Sequence, residues 1–193
     1  MKVLSVNTAR AETREINGRE VLTAIGKRPR TGLVPYLPLG LDGDEQADQS
    51  VHGGLAKAIY AYPHKHYPFW RTVRAQAGVA AWEGELPPPG TMGENLTLDG
   101  LDERDLWIGD QLHFSDGGVL IVSEPRFPCF KFNAVMGFKQ AAKLMVQSGY
   151  CGAYLAVLTP GAVQAGQDFT LRPGPRDLAV LDLFRSRTAG KKF

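Results

Sequence analysis

The stretch Gln111-Leu112-His113-Phe114-Ser115-Asp116-Gly117-Gly118-Val119-Leu120-Ile121-Val122 sets the pattern for the whole chain. Two apolar runs of strand length, Gln111 to Phe114 and Val119 to Val122, are parted by small and polar residues that favour a tight turn. Runs of the same kind recur at Lys2 to Asn7, Glu20 to Ile25, Leu33 to Leu39, Ala58 to Tyr62, Asn95 to Leu98, Ala153 to Leu158 and Asp168 to Leu171. Most are bounded by Gly, Pro or Asp, and 22 glycines with 13 prolines in 193 residues favour many short elements over a few long helices. Helices are expected over Pro63 to Gln76, Cys129 to Met136, Phe138 to Gln147 and Asp177 to Arg185. This order is not a regular strand–helix alternation, which disfavours a doubly wound parallel sheet. The expected fold is mainly β, a barrel with helices inserted in its connections.

Composition narrows the function classes. Hydrophobic residues make up 44% and charged residues 22%, the profile of an ordinary globular domain. A single domain of this length buries roughly 70% of its unfolded surface, enough for a core without staples. The net charge is only +2, and no cationic run exceeds Lys191-Lys192, so a nucleic-acid-binding face is not expected. No apolar stretch approaches the roughly 20 residues of a membrane span, and Met1-Lys2-Val3-Leu4-Ser5-Val6 does not read as a signal peptide. The sequence therefore reads as a cytoplasmic protein without a membrane partner, and Cys129 and Cys151 as free thiols. Ser186 to Phe193 is expected to fray.

The candidates for chemistry are few. The four histidines show no metal-ligand spacing and no HExxH, and His64 and His66 are expected at a solvated helix start. Strings such as G-x-S-x-G, G-x-G-x-x-G and G-x-x-x-x-G-K-[ST] do not occur, which removes support for hydrolase and dinucleotide readings. In Glu124-Pro125-Arg126-Phe127-Pro128-Cys129, two prolines stiffen the backbone before a cysteine that opens a helix. The helix start and Arg126 both favour the thiolate, the form that attacks electrophiles or binds soft metals. A buried structural cysteine is the other reading of Cys129. Cys151, in Ser148-Gly149-Tyr150-Cys151-Gly152, has no local cation and reads as a packed small residue.

A second polar cluster, Asp48-Gln49-Ser50-Val51-His52-Gly53-Gly54-Leu55-Ala56-Lys57, suits an anionic ligand, because paired glycines let backbone amides approach it. The same residues also read simply as a glycine turn before a strand. A third, Gly93-Glu94-Asn95-Leu96-Thr97, sets two hydrogen-bonding side chains at a strand's mouth.

In sequence order, Gly40 to Asp48, Val51-His52-Gly53-Gly54 with Lys57 to Pro63, Gly93 to Thr97, Ile108-Gly109-Asp110 and Pro125 to Cys129 resemble the MOSC domain, named for the C-terminal domain of molybdenum cofactor sulfurases. Gly152-Ala153-Tyr154-Leu155 and Pro160-Gly161 extend the likeness, which is strongest to the stand-alone YiiM-like branch. The resemblance implies a closed, mostly antiparallel β-barrel of the pyruvate-kinase type, here over residues 1–175; the longer members continue into a three-helix extension, whereas this sequence departs from them with only a short helical tail expected over 176–193. It implies a molybdenum cofactor (molybdopterin), with Cys129 as the catalytic residue and protein ligand to molybdenum. Lys57 and Arg126 would neutralise the pterin phosphate, with Arg28 and Arg30 as a further anion contact. His52, Glu94 and Asn95 would orient the pterin or substrate. The implied reaction is two-electron reduction of N-hydroxylated compounds such as hydroxylaminopurine-type bases. Two cysteines cannot hold an iron–sulfur cluster as well as molybdenum, so electrons would come from a separate flavin or iron–sulfur protein. Two other readings stay open: a carrier of sulfur or cofactor, with a persulfide on Cys129, and a non-catalytic pterin-binding barrel.

Overall fold

The computed structural model describes residues 1–47 and 53–191. Among the described residues there are thirteen strands and four α-helices. In chain order the strands are β1 (Lys2–Thr8), β2 (Glu12–Ile16), β3 (Arg19–Thr23), β4 (Arg28–Pro29), β5 (Val34–Leu37), β6 (Gly40–Leu41), β7 (Ile59–Pro63), β8 (Leu96–Asp99), β9 (Gln111–Phe114), β10 (Val119–Pro125), β11 (Ala153–Thr159), β12 (Gly161–Val163) and β13 (Phe169–Arg172). The helices are α1 (Tyr67–Gln76), α2 (Phe130–Met136), α3 (Ala141–Ser148) and α4 (Val180–Thr188).

The main sheet has eight strands in the order β13-β9-β10-β11-β7-β8-β1-β4. All five residues of β7 are buried, which is why its continuous apolar run lies at the interior of the sheet rather than at an edge. Antiparallel β11 flanks it on one side, and β8 runs parallel to it on the other. Gly152 lets the approach to β11 pass close to β7: at its φ of +63°, a Cβ would lie 2.4 Å from the Ala61 carbonyl oxygen. Two smaller sheets stand apart, β12-β5-β6 and the β2–β3 hairpin.

The expectation of a closed antiparallel barrel needs correction. The arrangement is mixed α/β, and no sheet among the described residues closes on itself. One end of the main sheet is β13, paired in the ladder only with β9; the other is the two-residue β4, in which Pro29 lacks an N–H to extend the pairing. The β13 end approaches β1, the neighbour of β4, where Gly166 N–H donates to the Val3 carbonyl, Val3 N–H to the Gln167 carbonyl and Phe169 N–H to the Met1 carbonyl, but the pairing is an isolated Lys2–Asp168 bridge and no ladder follows from it. The parallel β7–β8 pair departs further from the antiparallel pattern.

The core gathers Trp70, Tyr62, Tyr67 and Phe132 with Leu96, Leu98 and Leu112. The tail helix joins it through Val180 and Phe184. His66, expected on a solvated helix start, is instead buried: its Nε2 lies 2.7 Å from Glu103 Oε2 and its ring stacks on Tyr150. The carboxylate and the aromatic face together replace the water that the ring gives up. No helix among the described residues is long and apolar enough to cross a membrane.

Candidate functional site

Where β10 ends, the chain runs through Arg126, Phe127 and Pro128 to Cys129 and then into α2. Cys129 caps that helix in an extended conformation, and its carbonyl accepts the Phe132 N–H at 2.9 Å. The residue lines a cleft that holds about 90 Å³ of water-accessible space and opens to solvent. Lys57, Asn95, Arg126 and Cys129 share its wall with Lys27, Asp44, Tyr60, Met92, Lys131 and Tyr154.

Arg126 is 4% exposed. Its guanidinium lies 5.0 Å from the Phe132 ring centre and 5.6 Å from that of Tyr60, and Nη1 is 3.4 Å from the Met145 sulfur. Burial works against its charge, but Tyr60, Cys129 and Tyr154 outweigh that and hold the group more firmly protonated than usual. Among the described residues no carboxylate pairs with it. A buried cation arranged in this way favours an anion in the adjoining space. The Tyr154 phenol is pushed up to about 12, chiefly by burial and against the opposing charge of Arg126.

Lys57 ends the short helical turn Leu55–Lys57, and its Nζ lies 3.8 Å from Glu124 Oε1. Asn95 is a hub between elements. Its Nδ2 donates to Asp44 Oδ2 at 2.8 Å and to the Asn7 carbonyl at 3.2 Å, while Oδ1 accepts the Tyr60 N–H at 3.0 Å. Asp44 also accepts the Ala9 N–H at 2.8 Å and the ammonium of Lys27.

Two expected residues sit behind or beside the cleft. Glu94 is fully buried and accepts the Tyr67 hydroxyl, the Gly90 and Met92 N–H groups at 2.8 and 2.9 Å, and the Thr97 hydroxyl at 3.0 Å. It therefore shapes the Met92–Gly93 wall from behind. Gly90 belongs to the same turn: at φ +90° its Cβ position is 2.5 Å from the Lys27 carbonyl oxygen, so only glycine allows this approach. Arg30 is exposed and donates to Thr8 Oγ1 at 3.3 Å, outside the cleft lining, and Arg28 is exposed on β4. His52 lies outside the described residues. Cys151 is fully buried, and burial pushes its thiol well up.

Lys27, Asp44, Tyr60, Lys131 and Tyr154 were not singled out by sequence reasoning. Lys27 stands next to Arg28, and Asp44 lies within Gly40 to Asp48, but Arg28, Arg30 and His52 carried the stronger local signal.

The cleft wall sets one thiol beside a buried guanidinium and three lysines, with Asp44 already paired to Lys27 and Glu45 accepting the Ala11 N–H, and the thiol and cations fit a soft metal carried by a phosphate-bearing organic group. Residues 48–170 match the MOSC domain. The chain is 38% identical over 169 residues to the uncharacterized protein YflK of Bacillus subtilis, covering 88% of this chain and 72% of that one. A protein of Gibberella moniliformis described as "Reductase" is 34% identical over 176 residues, or 90% of this chain but only 30% of its own length. The crystal structure of YiiM from Geobacillus stearothermophilus superposes with a TM-score of 0.74 at 28% identity, covering 97% of this chain and 84% of that one. The matched span takes in Lys57, Asn95, Arg126 and Cys129 of the cleft wall, and the chain belongs to the MOSC domain family.

Proposed function

We propose that this chain is an oxidoreductase that holds a molybdenum cofactor in the cleft and reduces N-hydroxylated compounds. The observation that carries the reading is the meeting of Cys129 in one cleft with the buried Arg126, which no carboxylate among the described residues pairs. Membership of the MOSC domain family supports it, as does a relative described as a reductase.

In this reading Cys129 is the protein ligand to molybdenum. Its extended backbone between Pro128 and α2 fixes where its Cα–Cβ bond points. Arg126 and Lys57 hold the phosphate: Arg126 is pre-set by its aromatic neighbours, and Lys57 comes from a turn. Asn95 keeps Asp44 and β7 in register around the cleft. When bound, the cofactor supplies two-electron redox chemistry that no side chain of the cleft provides. Electrons come from a separate flavin or iron–sulfur protein that docks transiently at the mouth.

The protein should be purified from a host that makes the cofactor, then assayed for molybdenum and pterin and for turnover of an N-hydroxylated base with a chemical one-electron reductant. Stoichiometric cofactor and reductive turnover are expected, with both lost in Cys129→Ala. Bound cofactor without turnover would favour a carrier, and no cofactor at all would overturn the proposal.

A further inference from the structure

Lys27 and Asp44 form an ion pair in the cleft wall, with their side chains only 9% and 6% exposed. Asp44 is held rigidly by three donors: Lys27, the Ala9 N–H and the Asn95 amide. The pair is neutral as a unit, which makes Lys27 a poor counter-charge for a phosphate compared with Arg126. A lysine ammonium has three N–H donors, however, and Asp44 takes one.

We propose that Lys27 is the acid that protonates the departing oxygen when an N-hydroxylated substrate is reduced in this cleft. The inference rests on the reductase reading of the site. The overall change is R–NH–OH + 2 H⁺ + 2 e⁻ → R–NH₂ + H₂O, with both electrons supplied by the external one-electron donor. As the N–O bond breaks, Lys27 Nζ gives one proton to the hydroxyl oxygen, so that water and not hydroxide leaves. The second proton, which ends on nitrogen, comes from solvent, and solvent also reprotonates the neutral lysine.

The other groups of the wall are less suited: Lys57, its side chain 22% exposed and 3.8 Å from Glu124 Oε1, is already given to the phosphate. Arg126 is buried between rings and more firmly protonated than an ordinary arginine. Lys131 Nζ reaches the Leu22 carbonyl at 3.0 Å in an exposed contact, where solvent and not the cleft surrounds it, and the Tyr60 hydroxyl is committed to the Cys151 carbonyl at 2.8 Å. Glu45 Oε2 accepts the Ala11 N–H, and the Tyr154 phenol holds its proton up to about 12. Lys27 differs from all of these. Burial lowers its pKa against the opposing influence of Asp44 and Glu94, so its proton is more readily released than that of an exposed lysine. Its position is fixed, as proton transfer at a reacting atom requires.

The test compares wild type with Lys27→Gln, Lys27→Arg and the double variant Lys27→Gln/Asp44→Asn, all from a cofactor-making host. The double variant removes the carboxylate that the single one strands, and Lys27→Arg keeps both the charge and the pairing but releases a proton poorly. Three readouts are taken: molybdenum and pterin content, substrate affinity titrated without reductant, and kcat with a chemical one-electron reductant. In all three variants, cofactor content and affinity are expected within about threefold of wild type, and kcat is expected to fall by about 100-fold or more. Turnover within about fivefold of wild type in Lys27→Gln, or restored by Lys27→Arg, overturns the acid role. So does selective loss of cofactor in the variants, which would make Lys27 an anion ligand. Wild-type protein without pterin overturns the reductase reading itself, a result separate from active, loaded wild type with equally active variants.

Discussion

The Asn95 amide reaches across 51 residues of sequence to donate to Asp44 Oδ2, and this hydrogen bond ties the mouth of β8 to the segment after β6. Because the same side chain also accepts from the Tyr60 backbone and donates to the Asn7 carbonyl, it spans three elements at once. Asn95→Ala is expected to lower stability by about 2–4 kcal/mol, since it strands a buried N–H and a buried carboxylate oxygen. Denaturant unfolding measures this, and a loss below about 0.5 kcal/mol would contradict the role of hub.

The two thiols are expected to react very differently. Cys129 opens to the cleft, whereas Cys151 is fully buried with its thiol pushed well up by burial and by the nearby Glu103. Cofactor-free native protein should titrate one thiol with an aromatic disulfide reagent, and unfolded protein two. Cys129→Ser should leave none reactive in the native state. Rapid labelling of that variant would show that Cys151 becomes exposed in solution.

Arg126→Ala and Lys57→Ala should each reduce pterin retention, because a phosphate contact from a charged donor contributes roughly 1.5–3 kcal/mol. The Arg126 change should be the larger, since it also removes packing against Phe132 and Tyr60. Arg126→Lys should restore retention only in part, as it loses the forked geometry. Wild-type pterin content in both alanine variants would place the phosphate elsewhere.

Glu94 introduces a pH dependence. Its burial raises the carboxyl above the usual range despite hydrogen bonds from Tyr67, Gly90 and Thr97 that work the other way. The native state then keeps a proton that the unfolded chain has already released, so this group lowers stability as pH rises from about 4 toward its raised native value. Glu94→Gln does not titrate. Its stability relative to wild type should therefore improve as pH rises through that window, as read by urea unfolding at a series of pH values. Parallel curves would mean that the native and unfolded carboxyls titrate alike.

The strands β7, β9, β10 and β11 were legible because each carries an apolar run matched to a buried position. β2 was not: Glu12-Thr13-Arg14-Glu15-Ile16 buries only Ile16, since the hairpin stands outside the main sheet and offers no burial periodicity. Openness of the main sheet was equally invisible, because it turns on whether one bridge at Lys2 extends into a ladder. The solvated reading of His66 failed because its partner Glu103 lies 37 residues further along. In the cleft, Cys129, Arg126, Lys57 and Asn95 announced themselves through rigid or glycine-rich local context, whereas Lys27 and Asp44 depend on a contact between separate loops.

The pairing of β1 with β8 also bears on how the chain is made. Asn7 and Thr97, joined by a side-chain hydrogen bond, are 90 residues apart, so β1 has only the two-residue β4 to pair with until β8 has been made. At about 5–20 residues per second that wait lasts roughly 5–20 s. Throughout it Val3 and Val6, wholly buried in the finished fold, lack their β8 partners Leu98 and Leu96. β1 is thus the natural ward of a chaperone, and the cleft, whose wall needs Asn95, Arg126 and Tyr154, is completed only once β11 has been made.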